Sequence, residues 1–332
     1  MIKDIVILAI ETSCDETAAA IIKNGRVILS NIVASQIDTH KKFGGVIPEI
    51  ASRKHIEIIS QIIDKSLFKA NLKFMDIDAI AVTQGPGLVS ALLIGTNYAK
   101  NLAYALKKKI IAVNHVEGHI CANYLENNFE PKFICAVISG GHTSLFYVKD
   151  YNSFEILGET LDDAAGEAYD KIARVLDLGY PGGPAIDKIS KDADKNFIEF
   201  KIPIENSLDF SFSGLKSSVT NFVYKQKNID FSFKKNVAAS FQECVTNSIV
   251  KKIFKACELK KINKIAISGG VASNSCLRKK IIIECQKRNF EFNIPDVKFC
   301  TDNAAMIASR AFYKYINNEF YENLDLNAKA RI

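Results

Sequence analysis

The sequence predicts an α/β protein built from two related lobes. Strands alternate with helices, from an apolar run at residues 79–83, through a helix at 89–106, to a second apolar run at 110–113. The order strand, turn, strand, turn, strand opens the chain at residues 5–33 and returns at residues 133–157. We interpret this repeat as an internal duplication in which each lobe begins with an antiparallel meander.

The first lobe is predicted to span residues 1–128. The dipeptide Asn24-Gly25 is typical of a hairpin turn between two strands. The predicted elements are strands at 5–10, 17–22 and 27–33, a helix at 47–70, a strand at 79–83, a helix at 89–106, a strand at 110–113 and a short helix with two histidines. The last helix, at 303–316, is predicted to pack back on this lobe together with the rest of residues 303–332.

The second lobe is predicted to span residues 129–302. Pro181-Gly182-Gly183-Pro184 predicts a rigid turn that opens a helix. The other predicted elements are strands at 133–138, 143–148 and 154–157, a helix at 162–176, a strand at 264–268 and a helix at 274–288. A polar, lysine-rich stretch at 192–230 and a long amphipathic helix at 233–259 are interpreted as a helical insertion covering about 192–260.

Length and composition exclude several classes of protein. The 332 residues are 48% hydrophobic, as in a globular chain, and no apolar run reaches the ~18 residues of a membrane span. The eight cysteines include no Cys-x-x-Cys pair, which disfavours a disulfide framework or a zinc ribbon. We expect a cytoplasmic protein with no membrane association, whose net charge of +6 is compatible with RNA.

Two of the five histidines, His115 and His119, are four residues apart in the predicted short helix. That spacing places both imidazoles on one face, where they can bind one metal ion or act as ordinary hydrogen-bonded helix histidines. A zinc protease needs a glutamate next to the first histidine, but Glu117 is two positions from each and points about 200° away around the helix. The spacing therefore disfavours a protease.

Three polar turns follow apolar strands, at residues 11–16, 139–142 and 268–274. Glycine pairs in the last two turns allow backbone amides to approach a ligand such as a phosphate, although each alone is also an ordinary tight turn. Neither the P-loop pattern nor the dinucleotide fingerprint occurs in the sequence. The three turns together favour a nucleotide site of a less common type.

Ten segments of the chain resemble the tRNA N6-adenosine threonylcarbamoyltransferases. They include Glu-Thr-Ser-Cys-Asp-Glu at 11–16 and Ser-Gly-Gly-His at 139–142. The full set, in order, lies at 9–17, 44–53, 85–88, 115–119, 139–143, 162–171, 180–184, 209–216, 269–274 and 300–303. So many motifs in one order are specific to the family.

The resemblance implies two duplicated α/β lobes of the actin, acetate kinase and heat-shock chaperone ATPase type, with a nucleotide in the interlobe cleft. It implies transfer of a threonylcarbamoyl group from threonylcarbamoyl-AMP to N6 of the adenosine just 3′ of the anticodon, in tRNAs reading codons that begin with A. The implied partners are tRNA, an inactive paralogue of the same fold and a small P-loop ATPase. The family was formerly named as sialoglycoprotein endopeptidases.

The resemblance also implies the site residues. One divalent metal, iron(II) or zinc, would be held by His115, His119 and Asp302, although Asp302 by itself reads as a helix N-cap. The substrate would be held by Val137, Ile138, Ser139, Gly140, Gly141, Asp170, Gly183, Asp187 and Asn274. Taken singly, these are ordinary helix carboxylates, turn residues and a helix cap.

Asp15 and Glu16 are the candidates for positioning the attacking amine or accepting its proton. They are adjacent carboxylates on the first polar turn, and the alternative is a solvated turn.

Two other functions on the same fold remain open. A non-catalytic scaffold is expected to have lost the metal residues, which are present here. A small-molecule kinase would transfer a γ-phosphate instead.

Overall fold

The computed structural model describes residues 3–202, 204, 207–321 and 324–331. The chain divides into two compact units, the first formed by residues 1–130 and 301–332 and the second by residues 131–300. Every helix in the described part of the chain is too short or too polar to cross a lipid bilayer.

The described residues of the first unit form a five-stranded sheet of order β3-β2-β1-β4-β5. β1 pairs antiparallel with β2 and parallel with β4, which in turn is parallel to β5. The strands are β1 (Val6–Glu11), β2 (Glu16–Lys23), β3 (Val27–Ser35), β4 (Ala79–Gly85) and β5 (Lys109–Asn114). The helices are α1 (Ile37–Lys41), α2 (Pro48–Ala70), α3 (Val89–Leu106), α4 (His115–Cys121) and, after the second unit, α11 (Ala304–Ile316).

Helices cover this first sheet because its central strands are apolar on both faces. Leu8 and Ile10 of β1 lie in a core with Ile59 and Ile63 of α2 and Ala99 of α3. Since side chains alternate along a strand, the residues between them face the other way, and α11 packs against β1, β2 and β5.

The described residues of the second unit form another five-stranded sheet, of order β10-β9-β6-β7-β8. Its strands are β6 (Phe133–Ile138), β7 (Thr143–Val148), β8 (Phe154–Glu159), β9 (Lys264–Ser268) and β10 (Glu291–Asn293). Its helices are α5 (Ala165–Val175), α6 (Gly182–Ile189), α7 (Ser213–Tyr224), α8 (Phe231–Lys260), α9 (Ser275–Arg288) and α10 (Val297–Cys300).

The two sheets share one topology. β6 pairs antiparallel with β7 and parallel with β9, as β1 pairs with β2 and β4. β8 and β10 then take the edge positions that β3 and β5 take in the first sheet. The predicted fold class, two duplicated α/β lobes that each open with an antiparallel meander, is confirmed.

Some elements differ from the sequence prediction. The stretch at 192–230, predicted as a polar part of an insertion, contains α7, whose Leu215, Val219 and Val223 are buried in the core of the second unit. The long helix α8 contributes to the same core through Phe241, Val245 and other residues. These helices are integral to the packing of the second unit.

Candidate metal centre and active site

The end of β5 places the two histidines. Asn114 is both the last residue of β5 and the N-cap of α4, because its side-chain oxygen accepts hydrogen bonds from the amides of Val116 (2.8 Å) and Glu117 (3.3 Å). α4 therefore begins at the strand end, with His115 and His119 on successive turns. The two rings meet edge to face, with centroids 4.7 Å apart.

α11 brings the third member of the group. Gly118 lies between the histidines, and a Cβ there would approach Ile307 Cδ1 of α11 to 2.7 Å, so α4 and α11 pack closely. Asn303 caps α11 by accepting a hydrogen bond from the Met306 amide at 3.1 Å. The N-cap interpretation of Asp302 is therefore wrong, because Asn303 has that role and the Asp302 carboxylate is directed to the histidines.

His115, His119 and Asp302 fit one metal ion. Asp302 Oδ1 lies 3.4 Å from His115 Nε2 and 3.2 Å from His119 Nε2, and the three ligand atoms are all within 4.8 Å of one another. Ligands held about 2.0–2.2 Å from a tetrahedral ion are about 3.3 Å apart, so two of these separations match such a site. Two imidazoles and a carboxylate form a donor set typical of zinc or iron(II).

The burial of His119 is the clearest indication that a metal ion binds to these residues. Neither of its ring nitrogens makes a well-formed hydrogen bond to a described residue, although Nε2 lies 3.2 Å from Asp302 Oδ1, and its side chain is fully inaccessible. An unsatisfied buried polar atom costs about 1–3 kcal/mol. A metal bound at Nε2 would satisfy one of these atoms, so the group suggests a metal site.

Charge governs the protonation of this group. Burial opposes the ionisation of Asp302, but the neighbouring His115 and His119 outweigh it and hold the pKa of that carboxyl well below its ordinary value. Burial likewise opposes protonation of His115, but Asp302 and Glu11 raise its pKa well above the usual range. For His119, burial prevails and lowers the pKa. Without a metal, the ionised Asp302 carboxylate is therefore balanced by a protonated His115, and a bound metal ion would take the place of the proton at His115 Nε2.

Glu117 forms an ion pair and does not point toward the two histidines. Its carboxylate accepts a hydrogen bond from Arg310 Nε at 2.6 Å, and the Arg310 side chain is 4% exposed. This ion pair ties α4 to α11 and directs Glu117 away from the metal group, as the helix geometry predicted.

Asp15 and Glu16 lie beside the metal group at the start of β2. Asp15 is 8% exposed, and Glu16 Oε1 accepts a hydrogen bond from Ser35 Oγ at 3.2 Å. Burial, followed by the charges of Asp302 and Asp15, raises the pKa of Glu16 well above its ordinary value. A buried carboxyl and a partly buried one next to a third do not form a solvated turn.

A buried polar network holds the backbone of this turn. His55 of α2 donates from Nε2 to the Cys14 carbonyl (3.0 Å), which leaves Nδ1 to accept from Thr17 Oγ1 (2.7 Å). Gln36 bridges the two histidines of this network, since its Nε2 lies 3.4 Å from His55 Nδ1 and its Oε1 lies 3.2 Å from His40 Nε2. The Gln36 amide also donates to the Asp15 carbonyl at 3.0 Å.

In the second unit, the segment from Val137 to Gly141 runs from β6 into its turn. Val137 and Ile138 end the strand, and Ser139 Oγ accepts a hydrogen bond from the His142 amide at 3.1 Å. The Gly166 amide at the start of α5 donates to the Ser139 carbonyl at 3.2 Å, and a Cβ on Gly166 would lie 2.6 Å from that oxygen. The turn is therefore fixed against the first turn of α5.

At four glycines of the second unit, neither the packing nor the backbone conformation requires glycine. A Cβ added at Gly140, Gly141, Gly183 or Gly270 would meet no described atom within 4 Å, and none of the four has a positive φ. Packing and backbone conformation thus both tolerate a side chain at these positions. Space left open beside a backbone is what a ligand needs to approach it closely.

The remaining predicted substrate residues are engaged in contacts between helices. Asp170 Oδ1 accepts from the Gly182 amide (2.7 Å), which joins α5 to α6. Asp187 accepts from both the amide (3.2 Å) and the hydroxyl (2.8 Å) of Ser275, which joins α6 to α9. Taken singly, Asp170 and Asp187 could have been ordinary solvated helix carboxylates. In the structure they are instead hydrogen-bonded between helices.

Asn274 caps α9 through the Leu277 amide at 3.0 Å and donates to Gln242 of α8 at 2.7 Å. Asn274 therefore acts as a helix cap, as its position in the sequence suggested. The turn after β6 and helices α5, α6, α8 and α9 form one connected set around these residues.

Comparison with known proteins identifies the family. The family model described as TsaD, tRNA N6-adenosine threonylcarbamoyltransferase, matches residues 27–309. A curated protein of that name from Clostridium botulinum strain Hall is 56% identical over 332 residues, covering 99% of this chain and 97% of the relative. The chain belongs to this family. A second member, from Clostridium kluyveri, is 55% identical over 334 residues with the same coverage.

Solved structures place this transferase family member among other two-lobed proteins. Full-length HypF matches with a TM-score of 0.63 at 17% identity, covering 99% of this chain and 47% of HypF. The activator of 2-hydroxyisocaproyl-CoA dehydratase from Clostridium difficile matches with a TM-score of 0.51 at 17% identity, covering 96% and 97% of the two chains. At such identities these likenesses concern the fold alone.

Sequence reasoning missed Glu11 as part of the candidate metal site. Its carboxylate lies 3.0 Å from His115 Nδ1 and accepts from Thr83 Oγ1 at 2.6 Å, while Ser13 Oγ lies 3.2 Å from the same nitrogen. A carboxylate on Nδ1 fixes the ring so that Nε2 faces the metal position. The available signal was an acidic residue ending an otherwise apolar buried strand.

Proposed function

We propose that this chain transfers the threonylcarbamoyl group of threonylcarbamoyl-AMP to N6 of the adenosine 3′ of the anticodon, in tRNAs reading codons that begin with A. The observation that carries the proposal is 56% identity, over nearly the full length, to a curated tRNA N6-adenosine threonylcarbamoyltransferase. The buried group of two histidines and one aspartate gives that activity a physical basis.

His115, His119 and Asp302 would hold one divalent ion, iron(II) or zinc. When bound, such an ion supplies a Lewis acid that polarises an acyl or phosphate oxygen of the substrate. Glu11 would keep His115 in the orientation and tautomer that metal binding requires, because its carboxylate accepts a hydrogen bond from Nδ1–H.

The turn at Ser139, Gly140 and Gly141, with Val137 and Ile138 before it, would hold the phosphate and acyl part of threonylcarbamoyl-AMP. The open space at both glycines lets backbone amides approach an anionic oxygen. Asp170, Gly183, Asp187 and Asn274 would surround the adenosine, either directly or by fixing α5, α6 and α9 against each other. Placement of a weakly nucleophilic amine is the main demand on these groups.

In the transfer, the N6 amine attacks the carbamoyl carbon, a C–N bond forms, and the bond from that carbon to the phosphate oxygen breaks to release AMP. The amine proton would pass to the Asp15–Glu16 pair. The raised pKa of Glu16 makes its ionised form a stronger proton acceptor. A Glu16→Ala enzyme that transfers at the wild-type rate would rule out this role.

The proposed partners are tRNA as substrate, an inactive paralogue of the same fold and a small P-loop ATPase, all acting in the cytoplasm. We further propose that the chain has two domains, at 1–128 with 303–332 and at 129–302. Family membership supports the partners, and mixing the three proteins with tRNA, threonylcarbamoyl-AMP and ATP, with each protein left out in turn, tests whether transfer depends on each.

The decisive experiment is nucleoside mass spectrometry of tRNA from cells depleted of the protein and rescued with wild type or Asp302→Ala. We expect threonylcarbamoyladenosine to disappear on depletion and to return with the wild type alone. An unchanged level after depletion would overturn the assigned reaction, whereas full rescue by Asp302→Ala would overturn only the third ligand.

A further inference from the structure

Two segments of the second unit, residues 188–201 and 224–235, form one surface, called here the lysine-aromatic surface. The Asp194 amide donates to Asn236 Oδ1 (3.0 Å) and the Ile198 amide donates to Ser240 Oγ (3.2 Å), which fasten the first segment along the start of α8. The ring of Phe197 packs edge-on against Phe233, with centroids 5.8 Å apart. The two segments are therefore fixed together by hydrogen bonds and aromatic packing.

This surface concentrates positive charge. Its two segments hold eight lysines and four carboxylates, a net charge of +4 where the whole chain has +6. Only two of the lysines form ion pairs with described residues, Lys195 with Glu243 (3.3 Å) and Lys234 with Asp177 (3.7 Å). The other six ammonium groups are without a carboxylate partner among the described residues, and most are exposed.

The same surface holds every aromatic side chain that is exposed among the described residues of the second unit. Phe197 is 43% exposed, Tyr224 74% and Phe231 64%. The neighbouring rings of Phe222 and Phe233 stack with centroids 5.7 Å apart and support the exposed ones from below. Exposed aromatic rings on a firm base offer stacking platforms at little cost in conformational freedom.

We propose that the lysine-aromatic surface binds the tRNA substrate, with lysines on phosphates and the exposed rings against unpaired bases. This inference rests on the proposed function. Single-stranded RNA loops are recognised by base stacking on aromatic side chains together with backbone neutralisation by cations. An acidic protein partner would use the lysines but would leave three exposed rings among them without a role, so RNA fits both features.

The surface also continues from the proposed adenosine site. α6 carries Gly183 and Asp187 and then leads directly into Lys188 and, just past its end, Lys191. Asp187 and Lys188 are consecutive residues of α6, about 1.5 Å apart along the helix axis. RNA held on these lysines therefore lies next to the residues assigned to the adenosine.

The test is the affinity of the full-length chain for an in vitro transcribed tRNA that reads a codon beginning with A, measured at several salt concentrations. We expect Lys191→Gln/Lys225→Gln/Lys227→Gln to weaken binding about tenfold and to lower the slope of log K against log salt by about one for each phosphate that is no longer neutralised. Tyr224→Ala/Phe231→Ala should also weaken binding about tenfold while leaving the slope unchanged, because stacking releases no counterions.

Matched controls lie on α2 and just after it in the first unit. Lys65→Gln/Lys69→Gln/Lys73→Gln makes the same charge change at exposed lysines, and Phe68→Ala removes a ring that is 88% exposed. Both controls should bind tRNA like the wild type. In transfer assays the surface variants should raise KM for tRNA and leave both kcat and KM for threonylcarbamoyl-AMP unchanged.

Wild-type affinity and slope in the surface variants, or equally weakened binding in the controls, would overturn the proposed surface while leaving the transferase assignment intact. A wild-type protein that modifies tRNA in no assay would instead contradict the proposed function itself. Unchanged thermal unfolding of all variants excludes misfolding as the cause of any weakened binding.

Discussion

Behind His115, the side chains of Glu11, Ser13 and Thr83 form a chain of polar contacts. Glu11 accepts from Thr83 Oγ1 and from the Ser13 amide, and its remaining interaction is with His115 Nδ1. Glu11 is fully buried, and its ionised form persists because His115 and these donors offset the desolvation that would raise its pKa. A single carboxylate thus decides which nitrogen of His115 is free to bind a metal.

The open glycines of the second unit lead to a prediction at the same scale. Gly141→Ala and Gly183→Ala each place a methyl where no described atom lies within 4 Å, so the free energy of unfolding should change by less than about 0.5 kcal/mol. If substrate occupies that space, the methyl collides with it, and KM for threonylcarbamoyl-AMP should rise about tenfold or more. Steady-state kinetics and chemical denaturation measure both effects.

A wild-type KM in both Gly141→Ala and Gly183→Ala would contradict the substrate assignment.

At single residues, the sequence predicts what depends on spacing and misses what depends on tertiary contact. The four-residue interval between His115 and His119 fixes their common face in any helix. Asp302 is 183 positions from His119 in the sequence, and its own neighbours made it look like a helix cap. Only its family resemblance pointed to the metal, and only the structure shows that Asn303 is the cap.

Among elements, α2 does more than cover the sheet of the first unit. Through His55 it donates to the Cys14 carbonyl and accepts from Thr17, so one buried side chain joins α2 to the turn that carries Asp15 and Glu16. Nε2 donates to a carbonyl, and Nδ1 faces the Gln36 side-chain nitrogen, which can only donate, so Nδ1 is an acceptor and the ring is neutral. Burial lowers the pKa of His55 in agreement. The network therefore works only with an uncharged histidine.

His55→Ala should loosen the turn that carries the proposed catalytic residues Asp15 and Glu16. The change leaves the Cys14 carbonyl and the Thr17 hydroxyl without this partner, which we expect to cost about 1–3 kcal/mol of folding free energy. Since the Asp15–Glu16 pair loses its fixed position, kcat should fall more than KM rises, as measured in steady-state transfer assays. His55→Gln, which keeps a donor near the Nε2 position, should recover part of kcat.

Lys54→Gln is a suitable comparison for His55→Ala, since Lys54 precedes His55 on α2 and its one ion pair with a described residue is to an exposed glutamate, Glu57. It should be indistinguishable from wild type. A fully active and fully stable His55→Ala enzyme would show that the turn is held without this network.

Long elements with a strong apolar period were predictable, and short or weakly patterned ones were not. The buried runs of β1, β4, β6 and β9 stand out in the sequence because both faces are apolar. α7 is rich in serine, threonine and valine, which have low helix propensity, and it forms through burial of three apolar side chains. β10 has three residues and depends on its pairing with β9.

For the whole molecule, duplication has produced two units of one topology with different chemistry. In the described part of the chain, the one group of side chains able to hold a metal belongs to the first unit. The second unit offers instead open backbone after β6 and on α6. Metal binding and substrate holding are thus assigned to separate compact units.

Metal removal should therefore affect the two units unequally. Chelation takes away a ligand that stabilises the native state by roughly 2.7 kcal/mol when present at 100 times its Kd. Hydrogen exchange measured by mass spectrometry should become faster in α4 and in the first turn of α11, while α5 and α9 should be unaffected. Restoring iron(II) or zinc should reverse the change, and equal acceleration in both units would contradict the separation.

Asp302 is far in sequence from His115 and His119, because the chain leaves the first unit after residue 130 and returns to it at residue 301. During translation, His119 is made 183 residues before Asp302, an interval of roughly 10–40 s at 5–20 residues per second. A nascent chain therefore displays two histidines without their carboxylate throughout that interval. The three-residue group is complete only once Asp302 has been synthesised, so a chain that stops before it lacks a complete site.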